Sequence, residues 1–136
     1  MSFRTFLWVV LLLAFAFGLG YGPKELERRR LVESTRITER DLQLATLQRQ
    51  LGVAALEAQR NNYGTAGTAA RAFFEGCRTA VAQYDFSDLP RTRLALTAFA
   101  GNSDTVLGQL AVADPTVKDR LASLYLTMNG LIQRRQ

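Results

Sequence analysis

Reactive chemistry in a protein usually starts from histidine, cysteine or converging carboxylates. This chain of 136 residues holds no histidine and one cysteine, Cys77. The missing imidazole removes the commonest general base and metal ligand at neutral pH. One thiol cannot build a thiolate metal site or a dithiol redox pair. Cys77 falls between Phe73-Phe74 and Ala80-Val81, where a small buried hydrophobe is expected rather than a nucleophile. Asp85 and Asp88 stand beside Ser87 and Pro90, a setting that favours helix capping over a metal site. Arg71 and Glu75, four apart on a helix, read as a surface pair. Gly64 and Gly67 lack the lysine and the preceding strand of a phosphate-binding loop. No enzyme, no cofactor and no metal is expected.

The chain does carry a block of sixteen uncharged residues, Phe6 to Tyr21, reading FLWVVLLLAFAFGLGY. A helix needs roughly 20 apolar residues to cross a hydrocarbon core of about 30 Å. Extending the block to Phe3 and Gly22, with Arg4 snorkelling outward, reaches that length. A single-pass transmembrane anchor is therefore expected over 1–22. Its membrane residues are Phe6, Leu7, Trp8, Val9, Val10, Leu11, Leu12, Leu13, Phe15, Phe17, Leu19 and Tyr21. Trp8 and Tyr21 lie toward the two ends, where amphipathic rings favour the headgroups. The alternative is a cleaved signal peptide, with Arg4 as its basic start, Phe6–Phe17 as its apolar stretch and a small-residue site around Gly18–Gly22. Against it, the one A-x-A triplet, Ala14-Phe15-Ala16, lies inside the apolar run. Gly18 and Gly22 have the spacing of closely packed membrane helices. A flexible exit ended by Pro23 is the preferred account of them.

Lys24, Arg28, Arg29 and Arg30 follow the block, with Arg36 and Arg40 beyond, against Arg4 alone on the other side. Basic flanks stay cytoplasmic, so the bulk of the chain is expected on the cytoplasmic face of a bacterial inner membrane. Cleavage would place it in the periplasm or outside the cell. A lone cysteine agrees with a reducing compartment. Lys24 and Arg28–Arg30 are positioned for anionic lipid headgroups. Elsewhere the charges interleave, with eight basic and six acidic residues over 24–60 and the same tally over 61–136. That pattern suits a solvated helical surface and not a nucleic-acid footprint.

The remainder, about 110 residues, suffices for one small domain and is written in helical periods. Leu26, Ile37, Leu44, Leu47, Leu51, Ala54 and Ala58 share one heptad register, interrupted by Arg30, Glu33 and Arg40. Residues 23–41 are read as a charged, solvated stalk, a weak coiled coil at best, with Glu33 near Arg36 or Arg40. From 42 the apolar face widens with Leu42, Ala45, Val53 and Leu56, opening a helical bundle over 42–136. Leu44, Leu47, Leu51 and Ala54 offer either self-association or packing within the chain. Asn61-Asn62-Tyr63-Gly64 signals a break. Ala66, Ala69, Ala70, Phe73, Phe74, Cys77, Ala80, Val81 and Tyr84 form the next seam. Pro90 starts another helix, with Ser87 or Asp88 as its cap. Ser103 either caps a second piece or lies in a continuous helix. Asp114-Pro115 restarts the chain, and Val117, Leu121, Leu124, Met128 and Leu131 close it. No strand pattern occurs, so the fold class is all-α, a small antiparallel bundle.

Asn62-Tyr63-Gly64-Thr65-Ala66, followed by Ala70 and Phe73, resembles a tetratricopeptide hairpin, in which a Tyr at the turn precedes small and aromatic residues. Ala66 fits that family's pattern, Ala70 and Phe73 exchange roles, and no copy follows at a 34-residue period. The resemblance implies an antiparallel helical stack with a groove. The expected function is a membrane-anchored interaction or scaffold protein whose partner is another protein or a second copy. The alternative is a released helical carrier or sensor whose Phe73, Phe74, Phe99 and Tyr125 line a pocket.

Overall fold

A computed structural model describes the backbone of residues 3–135 and the side chains of residues 26–135. Among the described residues it forms five helices and no strand: α1 (Phe3–Gln59), α2 (Tyr63–Gln83), α3 (Pro90–Gly101), α4 (Ser103–Ala111) and α5 (Val117–Gln133). The all-α expectation holds. The chain divides into two compact units, Met1–Thr38 and Glu39–Gln136.

In the first unit the described side chains, 26–38, are all exposed, the basic Arg28, Arg29 and Arg30 and the apolar Leu26, Leu31, Val32 and Ile37 alike. The anchor expected over 1–22 and the headgroup contact expected at Lys24 fall outside the described side chains. Among those described, no helix is long and apolar enough to cross a membrane.

The second unit grows from the part of α1 beginning at Glu39. Leu44, Leu47, Leu51, Ala54 and Ala58 recur at three and four residues, which puts them on one helical stripe. All five are buried. The stripe packs against α2, whose Ala66, Ala70, Phe73, Phe74, Cys77 and Ala80 are buried in turn. The turn between them is set by Asn61, whose φ of 62° is left-handed. The Asn62 N–H donates to the Glu57 carbonyl at 2.8 Å and the Asn61 N–H to Ala58 at 3.0 Å. These two bonds close the helix as a Schellman motif, the left-handed residue sparing the last carbonyls from going unpaired. The break signal at Asn61 is thus realised. Beyond the turn α2 runs back along α1. Gly76 reaches Leu47, and a Cβ added there would lie 2.5 Å from Leu47 Cδ2.

α5 also runs antiparallel to α1, and four contacts fix its register. Lys118 Nζ donates to Asn61 Oδ1 at 2.7 Å. The Tyr125 ring lies against Gly52. Gln48 Nε2 donates to Asn129 Oδ1 at 2.9 Å, and Arg135 Nη2 to Asp41 Oδ1 at 2.6 Å. α3 and α4 pack on α2 and reach α5. Inside, the Phe73 ring sits 5.2 Å from that of Phe74 and 5.8 Å from that of Phe99, both pairs tilted. Such tilted pairs contribute about 0.5–1.5 kcal/mol each beyond area burial.

The sequence left open whether one helix or two follow Pro90, and two form. The chain breaks at Asn102 between α3 and α4. Ser103 does not cap the second piece. Its hydroxyl is buried and accepts from Arg78 Nη2 at 2.7 Å, tying α4 to α2. α5 starts two residues later than Asp114-Pro115 suggests, because the Asp114 carboxylate accepts both the N–H and the hydroxyl of Thr116. That turn delays the helix to Val117.

Candidate functional site

Two features of the second unit stand out from an ordinary helical core. The first is a buried cation. Arg40 occupies the position that would extend the stripe of Leu44, Leu47 and Leu51 by one turn, and it is only 6% exposed. Its Nη1 donates to Asp88 Oδ1 at 2.7 Å and its Nη2 to Asp88 Oδ2 at 3.2 Å. Nη1 also donates to the Asp85 carbonyl at 3.0 Å. The guanidinium carbon lies 5.7 Å from the centre of the Phe86 ring, within cation–π range. Arg40 Nε lies 3.7 Å from Asp41 Oδ1, too long for a hydrogen bond. The loop between α2 and α3 therefore wraps one guanidinium with a ring, a carbonyl and a two-pronged carboxylate. Donation from Arg40 is the leading reason the Asp88 carboxyl is held below its ordinary value.

This corrects the sequence reading at three residues. Arg40, read as part of a solvated stalk and as one of two candidate partners of Glu33, is buried and paired with Asp88. Asp88 is not a cap, because its oxygens are taken by Arg40, and α3 begins after Leu89 with no side-chain cap. Asp85 uses its carboxylate to accept the Ser87 N–H at 2.9 Å. The signal that could have located the fork is a charged residue at a core register position of α1 with acidic loop residues available downstream.

The second feature is an open groove between α1 and α5, with a volume of about 670 Å³. Its α1 lining includes Ala45, Gln48, Arg49, Gly52, Val53 and Leu56, and α5 supplies Ala122, Tyr125 and Leu126. Gly52 lets the Tyr125 ring press directly on α1, since an added Cβ would meet it at 3.2 Å. Val53, Leu56 and Leu126 are 42%, 51% and 69% exposed. Leu42, one turn before Ala45, is exposed as well. Large apolar side chains grouped this way mark recognition surfaces more often than scattered ones do. Arg49 is exposed and makes no ion pair among the described residues.

Of the wider apolar face expected to pack inside the chain, Ala45, Val53 and Leu56 instead line this groove, and Leu42 is exposed. Leu44, Leu47, Leu51 and Ala54 went the other way. They are at most 2% exposed inside the core of their own unit, the second of the two alternatives, packing within the chain. Their area is already buried against α2 and the other helices.

The four aromatic residues expected around a pocket also separate. Phe73, Phe74 and Phe99 fill the core, and Tyr125 lies half-buried on the groove. Cys77 is buried, and burial pushes its thiol up to about 12, with nearby Arg78 opposing only weakly. Among the described residues no group of three or more His, Cys, Asp or Glu could hold a metal ion.

Compared with known protein families, curated proteins and solved structures, the chain has no match. The tetratricopeptide resemblance stays a likeness of residues 62–73.

Proposed function

We propose that this chain is a non-catalytic interaction module held at a membrane by its N-terminal segment. Residues 1–22 are the anchor and 23–38 the basic stalk, with Arg28–Arg30 against anionic headgroups, and the helical bundle of 39–136 faces the cytoplasm. The observation that carries the reading is the α1–α5 groove, where Val53, Leu56 and Leu126 stay in water although the same unit buries the α1 stripe of Leu44, Leu47, Leu51, Ala54 and Ala58. A protein gains nothing in its own stability from such a surface, whereas a partner that covers it gains about 25 cal/mol per Å² of apolar area.

Topology reporters fused after Gln136, combined with intact mass of the membrane fraction, test the tether. A full-length mass with a cytoplasmic reporter is expected. A mature chain beginning beyond Tyr21 and free in solution would overturn the reading in favour of a released carrier.

A further inference from the structure

The partner's chemistry can be read from the groove, and this step rests on the interaction-module reading above. We propose that the α1–α5 groove receives one amphipathic helix of another protein, with a carboxylate placed opposite Arg49.

The α1 lining runs from Ala45 to Gln59, about four helical turns or roughly 22 Å at 1.5 Å per residue. That length suits a short helix laid along the groove. The lining combines small residues, Ala45, Gly52 and Ala122, with large ones, Val53, Leu56 and Leu126. Such a surface accepts apolar side chains spaced three and four apart on a partner helix.

Charge then selects among occupants. Arg49 is the single ionised side chain of the lining, and no carboxylate among the described residues pairs with it. A wholly apolar helix would strip water from that guanidinium without replacing the lost interactions, which is unfavourable. A partner carboxylate restores them through charge-assisted hydrogen bonds. A second copy paired groove to groove does not meet this need. A two-fold pairing is self-complementary, so it would bring another Arg49 and no acid from the facing groove.

The test uses the full chain in nanodiscs of phosphatidylcholine and two hydrocarbon-stapled helical peptides of about four turns. Both peptides carry leucines at helical spacing and differ only in a central Glu or Lys. Fluorescence anisotropy is expected to show the Glu peptide bound at least about tenfold more tightly. Arg49→Gln should bring the two within about twofold, and Arg49→Glu should reverse the order. Leu56→Asp should weaken both peptides at least about tenfold, with the helical circular dichroism of the chain retained.

Three results overturn the proposal: no binding of either peptide at about 100 μM, a preference that survives Arg49→Gln, or binding untouched by Leu56→Asp. A dimer of the full chain in nanodiscs that Leu56→Asp dissolves would assign the groove to a second copy and overturn it too. None of these outcomes moves the intact mass or the reporter signal, so failure of the partner chemistry is separable from failure of the tether.

Discussion

Arg40 and Asp88 meet across a sharp boundary of exposure: the Arg40 side chain is 8% exposed and the Asp88 side chain 60%. The cation is the buried partner and its counter-charge the wet one. The two ends of this ion pair therefore respond differently to substitution.

Removing the carboxylate leaves a buried guanidinium with the Asp85 carbonyl, the Phe86 ring and the more distant Asp41 carboxylate. Removing the guanidinium leaves a carboxylate that water can serve. Asp88→Ala is expected to destabilise the unit by about 1–3 kcal/mol, and Arg40→Met by less, because the apolar replacement also ends the desolvation of the charge. Urea denaturation of the two variants checks the order. A costlier Arg40→Met would mean that the stem packing and the Phe86 contact outweigh the charge pairing.

The same fork makes the stability depend on acid. Arg40 lowers the Asp88 pKa in the folded state, so the native state favours the ionised form. The resulting stability is fully present above the ordinary carboxylate value of about 3.9 and is lost as pH falls through the lower folded value. The difference in unfolding free energy between the wild type and Asp88→Asn should therefore be constant above about pH 5 and shrink steadily below about pH 4. A difference that grew toward low pH would contradict the pairing.

At Gly76, α1 and α2 approach too closely for a methyl group. Leu47 is wholly buried, so its Cδ2 can give way only by disturbing the packing around it. Gly76→Ala should cost about 1–3 kcal/mol from overpacking, partly offset by about 1 kcal/mol of helix propensity. Leu47→Ala should cost about 2–5 kcal/mol alone and at least about 0.5 kcal/mol less in the Gly76→Ala background. Thermal or urea melts of the two single variants and the double variant measure that coupling.

Cys77 should behave as a core hydrophobe. Its thiol is pushed up to about 12 by burial, so almost no thiolate exists near neutrality. Native-state alkylation by iodoacetamide should run at least about a hundredfold slower than in the urea-unfolded chain. It should also lack the steep rise near pH 8.5 that an exposed thiol shows. Fast native labelling would mean that α2 opens far more readily than its packing implies.

The lining of the groove should be dispensable for folding. Leu56→Ser and Leu126→Ser, at exposed positions, should change stability by no more than about 0.5 kcal/mol. Leu51→Ala and Leu121→Ala, at buried positions, should each cost about 2–5 kcal/mol. Denaturant midpoints of the four variants separate a surface kept for docking from one kept for packing.

Legibility in the sequence followed the reach of each interaction. Ala66, Ala70, Phe73, Phe74, Cys77 and Ala80 were readable as a buried seam because helical period is a local property. Asn61 was readable as a stop because left-handed backbone favours asparagine. Arg40 was readable as a charge at a core register position, but its pairing with Asp88 was not, since the two lie 48 residues apart and nothing in either local pattern names the other. The groove was hidden for a related reason. Leu42, Val53 and Leu56 continue the apolar face of α1 in sequence, and only the placement of α5 against Gly52 decides which part is covered. Ser103 misled because a hydroxyl at a helix start ordinarily caps, whereas here Arg78 claims it first.

The register of α5 along α1 has a bearing on biosynthesis. Asp41 and Arg135 are 94 residues apart, so their contact waits until α5 has been made. While α2, α3 and α4 emerge, the flank of α1 around Gln48 and Gly52 has nothing to rest on. α5 must be made before the oldest helix of this unit is sealed, and a chaperone that reads exposed leucine and valine has that interval in which to act.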